Sequence, residues 1–131
     1  MNIDMASFLG EIILEYEENF GPLHFSVEKM NGEFAFTEMD ERLLDLSKLS
    51  LLHIGKPLAE FDYLNEKSLQ FYINVFNRAW GGKTVVYYMI PRLNPDIYLI
   101  VLIKPVVDDQ GEILFIKGRS ACNFTSRLSI L

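Results

Sequence analysis

The chain has 131 residues, half of them hydrophobic, with one Trp, six Tyr and ten Phe; that is enough apolar material for one domain with a substantial core, and it excludes a disordered chain. A formal net charge of -6 leaves no basic stripe for a phosphate backbone, so nucleic acid is not an expected partner. The single cysteine, Cys122, excludes an internal disulfide and is the usage of a reducing compartment.

The opening "MNIDMASFLGEIIL" has no basic region and carries Asp4 and Glu11 in its apolar stretch, so it does not read as a signal peptide. No uncharged apolar run approaches the ~20 residues of a membrane span, and the expectation is a cytoplasmic protein that does not meet a membrane. Within "MASFLGEIILEYEENFGP", Met5, Phe8, Leu9, Ile12, Ile13, Tyr16 and Phe20 recur at three- and four-residue spacing, with Glu11, Glu15, Glu17 and Glu18 between them. This predicts an amphipathic helix that Asp4 caps and Gly21-Pro22 ends. Gly10 weakens it by about 1 kcal/mol relative to Ala unless closeness to a neighbour is needed there.

"LHFSVEKM" and "EFAFTEM" alternate around Asn31-Gly32, the strongest short hairpin signal. From Asp40 to Phe61 the pattern loosens into short helical pieces broken by Gly55 and Pro57. A longer helix is predicted from about Asn65 to Trp80, where Leu69, Tyr72, Ile73, Phe76 and Trp80 share a face and Gly81-Gly82 ends the run. Three strands follow, "KTVVYYMIPR", "IYLIVLIKPVV" and "EILFIKGRSACNF", the last two joined by Asp108-Asp109-Gln110-Gly111.

This order gives an α+β fold, a five-stranded antiparallel sheet with helices on one face. Both sheet faces are apolar, since Thr84, Val86, Tyr88 and Ile90 alternate with the equally apolar Val85, Tyr87 and Met89, and Ile97, Leu99, Val101 and Ile103 alternate with Tyr98, Ile100 and Leu102. The N-terminal helix is the remaining apolar surface to cover the second face, and a second copy of the chain completes it. A homodimer is therefore expected, with Met5, Phe8, Leu9, Ile12, Ile13 and Tyr16 as candidate interface residues.

Charge is also uneven. Residues 1–66 hold 14 Asp/Glu against 4 Lys/Arg and residues 67–131 hold 4 against 8, so the halves stand at -10 and +4. Either the two halves pack together or the acidic end meets a basic partner.

In order and punctuation the chain resembles a PAS domain, the small sensory module of signalling proteins. The resemblance covers roughly residues 23–125: "NGEFAFTEMDERLLDL" is similar to the first hairpin and short helices, and "HIGKPLAEF" to the step before the long helix. "VFNRAWGGKTVVYYMI" is similar to the helix-Gly-strand joint, and "IKPVVDDQGEILFIKGRSACNFT" to the closing hairpin. The resemblance implies a PAS-like (profilin-like) domain at 23–131 behind an N-terminal helix at 1–22. It implies a sensory and dimerisation role in a bacterial signal-transduction protein such as a sensor histidine kinase, with a downstream signalling domain or protein as a further partner. The chain departs from the family where an exit motif Asp-Ile/Val-Thr is replaced by Asn123-Phe124-Thr125, which keeps a capping oxygen and loses the charge. With six residues following, the chain reads as an excised sensor or a freestanding PAS protein.

No catalytic, phosphate-binding or metal motif is present, and no metal site or enzymatic activity is expected. Haem-binding members carry an axial His on the long helix, where this chain has none; His24 and His53 read as ordinary partly buried histidines. Flavin-binding members carry a reactive Cys that this chain lacks, and Cys122 reads as an inward small filler. No cofactor is expected. What remains is a space between long helix and inner sheet face, with Tyr72, Phe76, Trp80, Tyr88, Ile90, Leu99, Val101, Phe115 and Ser120 as candidate lining and Arg92, Asn74 and Arg119 as polar groups to orient a small ligand. A one-residue error in strand phase exchanges the faces. A ligand-binding sensor, an interaction module whose core is filled by its own side chains, and a small cone-shaped α+β enzyme stand as alternatives.

Overall fold

The computed structural model describes residues 4–126. Helix α1 (Met5–Phe20) starts where the Asp4 carboxylate accepts from the Ala6 amide at 3.0 Å and the Ser7 hydroxyl at 2.9 Å, neutralising donors that a helix start leaves without partners. It ends at Gly21, with φ 94°. Strands β1 (His24–Met30) and β2 (Glu33–Met39) form the hairpin, turning on Asn31 at φ 53° and Gly32 at φ 83° as a two-residue loop with positive φ requires.

Helix α2 (Glu41–Ser47) and two single 3-10 turns, at Leu51–His53 and Leu58–Glu60, fill the loosely patterned stretch. Helix α3 (Glu66–Trp80) is capped by Asn65, whose side chain accepts from the Ser68 amide at 2.8 Å. Strands β3 (Val85–Met89), β4 (Ile97–Val107) and β5 (Ile113–Phe124) complete the chain.

The sheet is antiparallel throughout, in the order β2-β1-β5-β4-β3. Its β2 edge is shielded by the loop at 55–57: the Gly55 amide donates to the Phe36 carbonyl at 2.7 Å, and Ala35 bridges Pro57.

Which residues face which side follows from register. Val85, Tyr87 and Met89 sit opposite Ile103, Val101 and Leu99, and these lie over α2 and α3 with Phe25, Val27, Ile116, Leu43, Val75, Phe76 and Ala79 in one core. The intervening residues face α1, where Ile13, Leu102 and Ala121 are buried with Tyr16, Val86 and Ile100 around them. The sheet is thus apolar on both sides because helices lie on both sides.

Two polar fastenings hold α1 in place. Arg42 of α2 donates to the Phe20 and Gly21 carbonyls at 2.7 and 3.2 Å and to the Tyr16 hydroxyl, satisfying acceptors that the helix end leaves open. Glu17 is bound by Arg119 of β5 and by His24 of β1. Among the described residues, Glu17–Arg119 is the ion pair that joins the acidic first half to the basic second half, while His24 lies in the same half as Glu17.

The six candidate interface residues divide accordingly. Ile13 is completely buried inside its own chain and Tyr16 is held by Arg42, so Ile13 leaves the interface set, because a side chain enclosed against Leu102 and Ala121 has no surface to offer a second copy. Met5 and Phe8 are about half exposed, at 55% and 52%, while Leu9 and Ile12 are partly covered. Among the described residues, no helix is long and apolar enough to cross a membrane.

Candidate functional site

Between α3, α2 and the inner sheet face lies a cavity of about 50 Å³. Tyr72 reaches it from α3, Leu43 and Ser47 from α2, Tyr87 and Met89 from β3, Leu99 and Val101 from β4, and Ser120 from β5; Arg92, just after β3, stands at its exposed side. Ser120 is fully buried, and its hydroxyl has no hydrogen-bond partner. An unpartnered buried hydroxyl is disfavoured by about 1–3 kcal/mol, and here it stands in the wall of a space that can receive a partner.

The phenols around this space stay neutral. Burial pushes Tyr63 up to about 12, raises Tyr72 further with the neighbouring Tyr63 adding to it, and raises Tyr87 well above the ordinary range. Each therefore offers a hydroxyl rather than a charge. The Tyr72 hydroxyl spends its proton on the Met89 sulfur at 3.2 Å, a weak acceptor that an oxygen would outcompete.

Of the sequence-predicted lining, the structure gathers Tyr72, Leu99, Val101, Ser120 and Arg92 around the cavity. Phe76 is buried beside it, edge-on to Phe34 and Phe36 and tilted against Tyr72, and Trp80 packs edge-on against Phe34 at the other end of α3; neither lines the cavity. Tyr88 belongs to the opposite face and is 69% exposed, and Ile90 is exposed beside an outer groove. Phe115 pairs with Val106 on the face opposite Ile116. These are phase corrections: the register of β3 on β4 turns Tyr87 and Met89 inward, which alternation alone cannot decide when both faces are apolar.

Arg119 lies on the α1 side, donating to both Glu17 oxygens at 2.9 Å, and Asn74 is an exposed α3 residue that accepts from Gln70; neither reaches the cavity. Cys122 packs at the margin of the main core, where burial raises its thiol. His53 accepts from the Ser50 amide and lies edge-on to Phe61 and Tyr63. Among the described residues, no three His, Cys, Asp or Glu gather as a metal site would need. A space of about 50 Å³ is also a third of the roughly 150 Å³ that admits benzene, so a flavin or haem ring does not fit it as it stands.

The exit stretch is tied down without a charge. Thr125 donates its amide to the Asp96 carbonyl at 2.9 Å and its hydroxyl to the Pro95 carbonyl at 3.0 Å, while the Asn123 side chain accepts from the Phe124 amide.

No protein-family model matches the chain, and no curated protein matches it. Solved structures do. A domain assigned to a light and redox sensing histidine kinase of Haloarcula marismortui superposes with a TM-score of 0.61 at 10% identity, covering 86% of this chain and 97% of its own. A light-oxygen-voltage domain solved with a flavin analogue gives 0.58 at 11% identity, covering 91% and 90%. The PAS-B domain of Drosophila melanogaster Cycle, with bound glycerol, gives 0.55 at 14% identity, covering 77% and 99%. Sheet order, the helical layer over one face and these superpositions together establish that the chain has the PAS fold.

Proposed function

We propose that the chain is a sensory and dimerisation module of a signal-transduction protein such as a sensor histidine kinase, taking a small molecule in its core and relaying the event through α1. The observation that carries this reading is the buried, unpartnered Ser120 hydroxyl in the cavity wall. Both of its strand neighbours contact α1: Arg119 binds Glu17, and Ala121 packs with Ile13. Adjacent strand residues point to opposite faces, so a ligand that displaces Ser120 displaces the seat of α1. Val101 repeats the arrangement, lining the cavity between Ile100 and Leu102 of the α1 side.

Pairing with a second copy is supported by the half-exposed Met5 and Phe8 on α1. A cytoplasmic setting is consistent with the single free thiol. The enzyme alternative needs a buried Asp or His base, and the cavity lining supplies neither.

The small volume of the cavity favours a second reading, an interaction module with an essentially filled core. Thermal unfolding across a panel of small molecules separates the two, since a ligand of the folded state raises the midpoint; no responder at millimolar concentration leaves the second reading. Native mass spectrometry tests pairing: a dimer that Phe8→Glu converts to monomer supports it, and a wild-type monomer at tens of micromolar sinks it.

A further inference from the structure

Lys67, in the first turn of α3, and Arg92, after β3, have side chains that make no ion pair or hydrogen bond to another described residue. Both edge one open groove of about 290 Å³, whose other lining includes Leu64, Phe71, Tyr72, Met89 and Ile90. Neither this groove nor the inner cavity is lined by an Asp or Glu. On a chain of net charge -6, a recess with two unpaired cations and no acid attracts an anion against the overall field, and its apolar lining favours an anion with an apolar body attached.

Groove and cavity are continuous in their walls, sharing Leu64, Tyr72, Met89 and Arg92. The Tyr72–Met89 contact of 3.2 Å stands between them. It joins a strong donor to a weak acceptor on a flexible side chain, so it yields readily to an entering group. Beyond it waits the unpartnered Ser120 hydroxyl.

We propose that groove and cavity form one site for a small amphipathic carboxylate, its head held between Lys67 and Arg92 and its apolar body directed past Met89 into the core. This rests on the sensory reading above and specifies its ligand class. Guanidinium and ammonium groups favour the ionised carboxylate, and the lining of Phe71, Met89 and Ile90 takes the chain.

The test is titration calorimetry of the full chain with sodium hexanoate, 1-hexanol and inorganic phosphate, repeated on Arg92→Gln and on Lys67→Gln/Arg92→Gln. Both substituted side chains are exposed, and circular dichroism checks that each variant keeps its thermal midpoint. Hexanoate binding at least ten-fold tighter than hexanol, a preference erased in the double variant while hexanol affinity stands unchanged, supports the proposal. Equal affinity for hexanoate and hexanol, or tighter hexanol binding, overturns the carboxylate head and leaves the sensory cavity in place. Phosphate binding as tightly as hexanoate overturns the apolar passage. Binding of none of the three overturns this site, and the sensory reading then rests on the wider panel above.

Discussion

Arg119 grips both carboxylate oxygens of Glu17 at 2.9 Å, linking the last strand to the first helix across 102 positions of sequence. The same Glu17 oxygen that meets the Arg119 Nε also meets the His24 Nε2 at 2.8 Å. Glu17 and Arg119 are both largely covered, and a two-pronged geometry of this kind is stronger than an ordinary surface pair.

The pair has a pH signature. Hydrogen bonds from Arg119, with His24 adding to them, hold Glu17 below its ordinary 4.5 although partial burial acts the other way. A lowered folded-state value contributes stability that is present above the unfolded pKa and lost as pH falls through the folded one. Glu17→Gln is expected to be less stable than wild type by about 1 kcal/mol at pH 7, with the gap closing as pH falls below 4.5. Urea unfolding at a series of pH values measures it; a gap of constant width from pH 7 to pH 3 refutes the ionic origin.

A second prediction concerns the cavity wall. Ser120→Ala removes a buried hydroxyl that has no partner and is expected to raise the stability of the ligand-free protein by about 1 kcal/mol. Chemical denaturation reads this directly. A fall in stability would mean that an ordered water already satisfies the hydroxyl.

Gly118 and Phe25 face each other across β5 and β1, and the phenyl ring occupies the place of the missing side chain. A Cβ on Gly118 would lie 2.1 Å from the Phe25 Cζ. Gly118→Ala is expected to destabilise by roughly 1–3 kcal/mol through overpacking, and to do so far less when Phe25 is already Ala. Additive effects in the double variant would show that the ring is not the obstacle.

Gly10 behaves differently. Its Cβ would meet Leu102 at 3.7 Å, an ordinary contact, so closeness to the sheet does not require glycine there. Gly10→Ala is expected to stabilise by about 0.5–1 kcal/mol through helix propensity alone, seen as a raised midpoint in thermal unfolding. Unchanged or lowered stability would show that α1 must shift to accept the methyl.

Local signals carried the element assignment because they act within a few residues of each other. Asp4 and Asn65 cap helices beside them, and Asn31-Gly32 closes a turn through its own backbone angles. The site was only partly legible for the same reason. Tyr72 and Ser120 could be named from helix periodicity and strand alternation, while Tyr87 and Met89 were exchanged for Tyr88 and Ile90. Sequence offered no sign of Lys67 as a site residue, because its meaning comes from standing beside Arg92 in a groove without acids.

The amino-acid order by itself determined that a five-stranded sheet would be apolar front and back and would need helices on both sides, because alternation and amphipathicity are properties of neighbours in the chain. Only the tertiary structure decided which residues of each strand face α1 and which face α2 and α3. That choice depends on the register of β3, β4 and β5 and on contacts such as Glu17 with Arg119, and a one-residue slip in register exchanges the faces without changing a local preference.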